Sequence, residues 1–221
     1  MAATINTNLY SLTAQANLAK NSLGLQSAIT RLSSGLRVNS AQDDASGLSR
    51  GMALDSTART LSVQARLSQD TISTNQTEDG KLSVVNDIVQ RMIELKSDTN
   101  AGTNNDAELG LLATQAGALQ TGLTGSVAVT SSDSLSTLQT SVTTIATARA
   151  TRGAAMNNAQ FDMTAKQIEY TNTKAAYSRI MDTDFAEETS RLSRFQVLQQ
   201  AGTAMVAQAN ALPQNVLTLL R

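Results

Sequence analysis

Apolar residues recur in steps of three and four along most of this chain. At the N-terminus the series is Ile5, Leu9, Leu12, Ala16, Ala19 and Leu23. At the C-terminus it is Phe195, Leu198, Gly202, Met205, Ala209, Leu212, Val216 and Leu219. This spacing puts one apolar stripe along one side of a helix. Neither the first nineteen residues nor Phe195–Leu220 contain a charged side chain. The rest of each strip is Asn, Gln, Ser, Thr and Ala, which are soluble yet do not repel a close neighbour. The pattern predicts two terminal helices that pack on each other and on copies of themselves.

Between the strips the same periodicity predicts three more helices. The first helix runs from about Thr4 to Leu36, and Ser33-Ser34-Gly35 followed by Asn39-Ser40 breaks it. Ser40 with Asp43 three residues on resembles a capping box, and Asp44 adds favourable charge near the positive helix end. A long second helix then extends from about Ala41 to Asp98. Val85, Ile88, Met92 and Leu95 form its closing stripe, and Gly51 and Gly80 each mark a bend or a close approach. Thr99–Asn105 reads as a turn with Asn105 or Asp106 as the next N-cap. A shorter helix follows, carrying Leu109, Leu112, Ala116, Leu119 and Leu123. Gly122–Ser134 reads as a loop, because the Val127–Val129 alternation is too short for a stable hairpin. From Leu135 the stripe resumes through Leu138, Val142, Ile145, Met156 and Ala159. It continues in a changed register through Phe161, Ile168 and Ala175, and weakens around Met181–Asp184. A chain turning back at the loop brings its ends together.

The expected fold is therefore all-α, an elongated long-helix bundle. A three-helix middle segment, residues 41–180 with its loop at 122–134, joins a two-helix terminal coiled-coil segment made of residues 1–40 and 181–221. Composition agrees. Aromatics are only 3% of the 221 residues, which argues against a thick core, and the one proline is Pro213. Two helices of about 50 and 35 Å cannot cover their own apolar surface without a larger body. The strips 1–35 and 185–221 each have too little apolar area to offset their own ordering entropy, so both are expected to be largely disordered in the free chain and helical only when assembled with copies.

Several chemistries drop out. The chain has no histidine and no cysteine, which excludes disulfides, thiolate metal sites, HExxH zinc sites and His-dependent triads. No catalytic, cofactor-binding or metal-binding residue is assigned, and no cofactor is expected. A net charge of −1 with pI near 5.4 gives no footprint for nucleic acid. No segment approaches the ~20 apolar residues that span a bilayer. The N-terminus lacks the basic leader and continuous apolar run of a cleavable signal, so export is expected to remove nothing. The paired carboxylates Asp43-Asp44 and Glu187-Glu188 lack the alternating oxygen ligands and glycine turn of a calcium loop. Helix capping and solvation are their expected roles.

Four segments together resemble bacterial flagellin. Arg31-Leu32-Ser33-Ser34-Gly35-Leu36-Arg37-Val38-Asn39-Ser40-Ala41-Gln42-Asp43-Asp44-Ala45-Ser46-Gly47-Leu48 is similar to the family's N-terminal signature. Ser178–Phe185 and Leu198-Gln199-Gln200-Ala201-Gly202 are similar to its C-terminal counterpart, and Pro213–Arg221 to its usual ending. The resemblance covers nearly everything outside residues 122–134, where family members usually insert a β-hairpin region and outer domains. This marks either a naturally minimal member or a deletion of the outer region.

The resemblance implies a non-enzymatic, extracellular structural subunit that polymerises into the flagellar filament. The terminal strips would form the innermost helical tube and the charged middle the next shell. Implied partners are further copies of the chain, the flagellar export apparatus with a chaperone holding the C-terminal strip, and the filament cap and hook-associated proteins. Nucleic acid and membrane are not among them. The polymerisation residues are then Ile5, Leu9, Leu12, Leu23, Phe195, Leu198, Met205, Leu212, Val216 and Leu219. Gln90-Arg91-Met92-Ile93-Glu94-Leu95 resembles the segment read by the vertebrate innate-immune receptor TLR5, with Gln90, Arg91, Glu94 and Leu95 as the candidate contacts. The plainer reading makes Arg91 and Glu94 an i,i+3 pair on a solvated helix face. Two rival functions share parts of the pattern. One is the hook–filament junction protein of the same architecture. The other is a secreted membrane-active helical protein of a type III system, which would want cationic polar faces that these strips lack.

Overall fold

A computed structural model describes residues 7–98, 102–123 and 127–219, of which 102–104 and 212–219 are described by their backbone alone. Among the described residues there are five helices, α1 (Leu9–Ser34), α2 (Ala45–Ser97), α3 (Gly102–Gln120), α4 (Leu135–Met181) and α5 (Phe185–Leu219). The chain divides into two compact units, one made of residues 1–57 with 172–221 and one of residues 58–171. The sequence places this division instead at residues 40 and 180.

In the unit formed by residues 58–171, helices α2, α3 and α4 close on one apolar core. Leu82, Val85, Val89, Met92 and Leu95 come from α2, Leu109 and Ala116 from α3, and Leu138 and Ile145 from α4. Leu123 and the half-buried Val127 and Val129 seat the connection after α3 against the same core. The Val127–Val129 alternation is thus a packing device, although it forms no strand. The α2–α4 pairing is antiparallel. Arg149 meets Asp79 at 2.8 Å and Arg152 meets Glu78 at 2.8 Å. Farther along, Ala58, Leu61 and Ile72 of α2 and Ala159 of α4 are buried at heptad spacing. Phe161 and Ile168, expected to continue this stripe, are instead exposed. Each lies two residues past a seam position (Ala159, Lys166), on the outer side of the helix.

In the other unit, α1 ends as its sequence dictates. Gly35 adopts φ 71° and its N–H bonds the Arg31 carbonyl at 2.8 Å, a left-handed stop for which glycine carries no Cβ penalty. The start of α2 departs from expectation. Ser40 does not cap it; Asp44 does, its Oδ1 accepting from the Gly47 N–H at 2.8 Å and the Ser46 hydroxyl at 3.0 Å. Asp43 serves the preceding turn, accepting from the Ser40 and Asn39 N–H groups and the Ser40 hydroxyl. Nor does Asn105 cap α3, which begins earlier. Its amide instead donates to the Leu95 carbonyl at 3.1 Å, in the last turn of α2. Gly51 marks a close approach, since a Cβ there would lie 2.5 Å from the Met181 sulfur, whereas Gly80 meets nothing within 4 Å.

The two aspartates make the start of α2 acid-sensitive. Hydrogen bonds hold both carboxyls below the ordinary Asp value, chiefly from the Ser40 backbone for Asp43 and the Gly47 backbone for Asp44. A carboxylate depressed in the folded state stabilises it above the unfolded pKa, and that contribution disappears as pH falls through the folded pKa. Amide exchange at Ser40 and Gly47, corrected for intrinsic rates, should therefore be slow at pH 6 and accelerate below about pH 3.9. The core amides of Val89 and Met92 should not follow. Hydrogen exchange read by NMR at both pH values checks this.

Candidate functional site

Helices α1 and α5 pack antiparallel, and small residues make their seam close. On α1 the positions turned toward α5 are Ser11, Ala14, Leu18, Asn21, Leu25, Ala28 and Leu32, at alternating steps of three and four. On α5 they are Glu188, Leu192, Phe195, Gln199, Gly202, Val206 and Ala209. Two glycines act as holes for knobs on the opposite helix. A Cβ on Gly24 would lie 2.6 Å from the Phe195 ring, and one on Gly202 would lie 3.0 Å from Leu18 Cδ1. The reciprocal arrangement fixes the register of the pair.

Asn8 closes one end of the seam with both ends of its amide. Its Oδ1 accepts from the Ser11 N–H at 3.1 Å and so caps α1. Its Nδ2 donates to the Ala209 carbonyl at 2.7 Å. That carbonyl needs an outside donor, because the residue four places on is Pro213, which has no N–H to give. Helix α5 thus continues past its proline to Leu219, and Asn8 supplies the bond the ring removes. The Ser11 hydroxyl adds a bond to Asn210 Oδ1 at 2.6 Å. Asn8→Ala should remove a cap worth about 1 kcal/mol and orphan a buried carbonyl at a further cost of about 1–3 kcal/mol. In limited proteolysis of the monomer, both termini of this variant should be trimmed several-fold faster than in wild type, with the 58–171 unit untouched.

Other ends of this unit are held by capping and by chain crossing. Asp184 Oδ1 accepts from the Ala186 and Glu187 N–H groups at 2.8 and 3.3 Å, capping α5. Glu187 and Glu188 follow in the first turn, where the helix dipole favours them, and both reach Arg191. Glu188 is buried, so the expected solvated face holds for Glu187 alone. The α1–α2 and α4–α5 connections cross as a short antiparallel bridge. The Arg37 N–H donates to the Met181 carbonyl at 2.6 Å, and the Thr183 N–H to the Gly35 carbonyl at 3.0 Å.

The sequence-derived apolar series separates into two faces. Phe195 lies in the α1–α5 seam. Leu9, Leu12, Leu23, Leu198 and Met205 do not; they are 40–67% exposed. On α1 the whole apolar series, with Ala16 and Ala19, faces away from α5. On α5, Leu198 and Met205 form a row at seven-residue spacing beside the seam, a spacing that Leu212 and Leu219 continue in the sequence. Ile5 and the side chains of Leu212, Val216 and Leu219 lie outside the described residues. Missed by the apolar pattern were the seam's polar members, Asn8, Ser11 and Asn21. The Asn-to-Pro pairing could have been found only by placing Pro213 four residues after Ala209 in a continuing helix.

The candidate receptor residues fall on the α2–α3 side of the 58–171 unit. Arg91 is exposed and meets Glu94 at 3.1 Å and Glu108 at 3.4 Å. Those carboxylates push its pKa up, the hydrogen bond with Glu94 being the largest single cause and the charge of Glu108 the next. Leu95, expected as a contact, is buried in the core and corrects that expectation. It cannot present its side chain without opening the α2–α3 packing, so Gln90, Arg91 and Glu94 are the side chains offered to solvent.

A helix pair whose inner seam is satisfied within the chain, and whose outer apolar rows are exposed and bounded by only Lys20 and Arg194, defines an assembly module rather than a ligand pocket. The sequence comparisons agree with that class. Residues 5–131 match the bacterial flagellin N-terminal helical region and residues 135–220 the bacterial flagellin C-terminal helical region. A flagellin of Xenorhabdus nematophila is 30% identical over 314 aligned positions that cover all of both chains. A Shigella flexneri flagellin is 47% identical over 109 residues, 49% of this chain and 20% of that protein. A Salmonella dublin flagellin is 46% identical over 109 residues, 49% of this chain and 22% of that protein. The chain belongs to the bacterial flagellin family. It spans about a fifth of the length of the Shigella and Salmonella relatives, and the two family regions are separated in it by Ser132, Asp133 and Ser134 alone.

Proposed function

We propose that this chain is a structural subunit of the bacterial flagellar filament, which polymerises with copies of itself into a helical tube and catalyses no reaction. The observation that carries this is the exposure of Leu9, Leu12, Leu23, Leu198 and Met205, all but Leu23 within the two stretches, 1–19 and 195–220, that carry no charged side chain. Each lone helix face of this kind is poorly solvated, and burying it against a neighbouring copy gains about 25 cal/mol per Å² of apolar area. Low charge on these faces lets copies approach at any ionic strength, so assembly depends little on salt. The tube serves as the propeller of motility outside the cell. Its subunit travels through the flagellar export apparatus with a chaperone on the C-terminal strip, adds beneath the filament cap, and meets hook-associated proteins at the base. Recognition by the receptor TLR5 through Gln90, Arg91 and Glu94 is secondary to that role. No described helix is long and apolar enough to cross a membrane, which gives no support to the membrane-active reading. Negative-stain microscopy of concentrated protein after seeding should show long, regular filaments. Protein that stays monomeric under seeding would contradict the proposal.

A further inference from the structure

The methionines among the described residues fall into three groups by exposure. Met92 and Met181 are buried, at 0% and 4%. Met92 belongs to the core of the 58–171 unit, and the Met181 sulfur lies so near Gly51 that a Cβ there would be 2.5 Å from it. Met156 and Met163, on α4, are half-buried. Met52 and Met205 are 65% and 63% exposed. Peroxide reaches a thioether only as far as the fold exposes it, so these last two sulfurs are the first to be oxidised.

The two exposed sulfurs stand in different surroundings. Met52, near the start of α2, has Arg50 and Asp55 as charged neighbours in the sequence, and a polar group there stays on a polar surface. Met205 lies on α5 inside the stretch 195–220, which carries no charged side chain. The residues one turn away on the helix are Ala201, Gly202, Gln208 and Ala209, three of them too small to cover the sulfur. Met205 also shares a row with Leu198, about 10.5 Å away along the helix, and the polymerisation reading buries that row against another copy. The same sulfur is thus open in the free chain and enclosed in the polymer.

We propose that Met205 is a modification site, at which oxidation by hydrogen peroxide stops the free chain from assembling. This rests on the polymerisation reading and adds a control to it. The sulfur lone pair attacks one peroxide oxygen, the O–O bond breaks, and the other oxygen leaves as water after proton transfer. The sulfur loses two electrons and the peroxide gains them. The sulfoxide is polar where the thioether was apolar. Burying its S=O group in an apolar row strips it of water, which opposes addition of that subunit. Modification and assembly therefore exclude each other: an oxidised chain does not add, and an added chain is not oxidised. The change is reversible, because a dithiol acting through methionine sulfoxide reductases, one for each epimer, returns the thioether and releases water and a disulfide.

The test treats the free, full-length chain with hydrogen peroxide, removes the oxidant with catalase and follows seeded polymerisation. Peptide mass spectrometry should find sulfoxide at Met52 and Met205 before any at Met92 or Met181, with circular dichroism unchanged. At the dose that converts Met205, the critical concentration of wild type should rise roughly tenfold or more. Met205→Leu has its own untreated critical concentration as reference, and peroxide should leave that value unshifted. Met52→Leu should lose assembly to the treatment as wild type does. Incubating oxidised wild type with both reductases and dithiothreitol should restore assembly, and filaments given the same dose should keep Met205 reduced. Peroxide sensitivity that persists in Met205→Leu, normal assembly by wild type with Met205 oxidised, or ready oxidation of Met205 within intact filaments would overturn the inference. Untreated wild type that never polymerises would instead remove the polymerisation reading, and this inference with it.

Discussion

Met205→Asp leaves the monomer folded and abolishes filament formation. In the single chain Met205 is 63% exposed and outside the α1–α5 seam, so a carboxylate there stays hydrated. Exposed substitutions of this kind change stability by no more than about 0.5 kcal/mol. In the polymer the same position lies in a row at seven-residue spacing with Leu198, inside the stretch 195–220 that carries no charged side chain to pair with it. Drying an unpaired carboxylate costs several kcal/mol, and the cost recurs at every subunit added. The critical concentration should rise by at least a hundredfold, which follows from about 3 kcal/mol per contact. Sedimentation of seeded protein measures it, and the variant's circular dichroism should overlay the wild-type trace. A Met205→Asp chain that polymerises at the wild-type critical concentration would remove this row from the interface.

Gly24→Val produces a different failure, inside the chain. The Phe195 ring occupies the space a side chain at Gly24 would fill, with ring carbons 2.6 and 2.7 Å from the Cβ position. Valine adds three carbons on a rigid branch, so the ring must leave the seam or the helices must part. Either outcome costs about 1–3 kcal/mol in overpacking, in a seam whose other large apolar side chains, Leu18, Leu25, Leu32 and Leu192, are only half-buried. The α1–α5 pairing should open, exposing both termini to protease within the free subunit while the 58–171 unit resists. Phe195→Ala should partly rescue protease resistance in the double variant, because it empties the space that valine needs. Additive losses in the double variant would show that Gly24 and Phe195 do not share this space.

Together these variants separate an inner seam from an outer surface, a distinction only half legible in the sequence. The helices were legible because their cause is local. Three-and-four periodicity, the absence of proline before Pro213 and a glycine at position 35 place α1, α2, α4 and α5 within a few residues of their observed bounds. The partner of each apolar stripe was not legible. Period alone reports that Leu9, Leu12 and Leu23 share a face, not whether a helix of the same chain or a copy covers it. The face that α1 turns to α5 includes Ser11, Ala14 and Asn21, residues that a search for apolar stripes passes over. Ala14 suits a close seam because it is small, and Ser11 because it is small and also bonds Asn210. The register change at Phe161 has the same explanation in reverse, since an apolar pattern that leaves the seam is the mark of an outer face.

The expectation that the terminal strips are largely disordered in the free subunit and helical only in the polymer differs from the structure of the single chain, in which Leu9–Ser34 and Phe185–Leu219 are helical and paired. Pairing shares one seam between two long helices, and Asn8, Gly24 and Gly202 fix its register, but few large side chains are buried there. The pair therefore belongs to the low-stability end of the molecule, which opens locally before the Leu82–Ile145 core does.

The most direct test of the central claim is a cryo-EM reconstruction of the wild-type polymer at side-chain resolution. The account predicts that Leu12, Leu23, Leu198 and Met205 each lie within van der Waals contact of a neighbouring copy, while Phe195 stays seated on Gly24 of its own chain. A filament in which those four side chains face solvent, or in which Phe195 leaves its own α1 for a neighbour's, would contradict it.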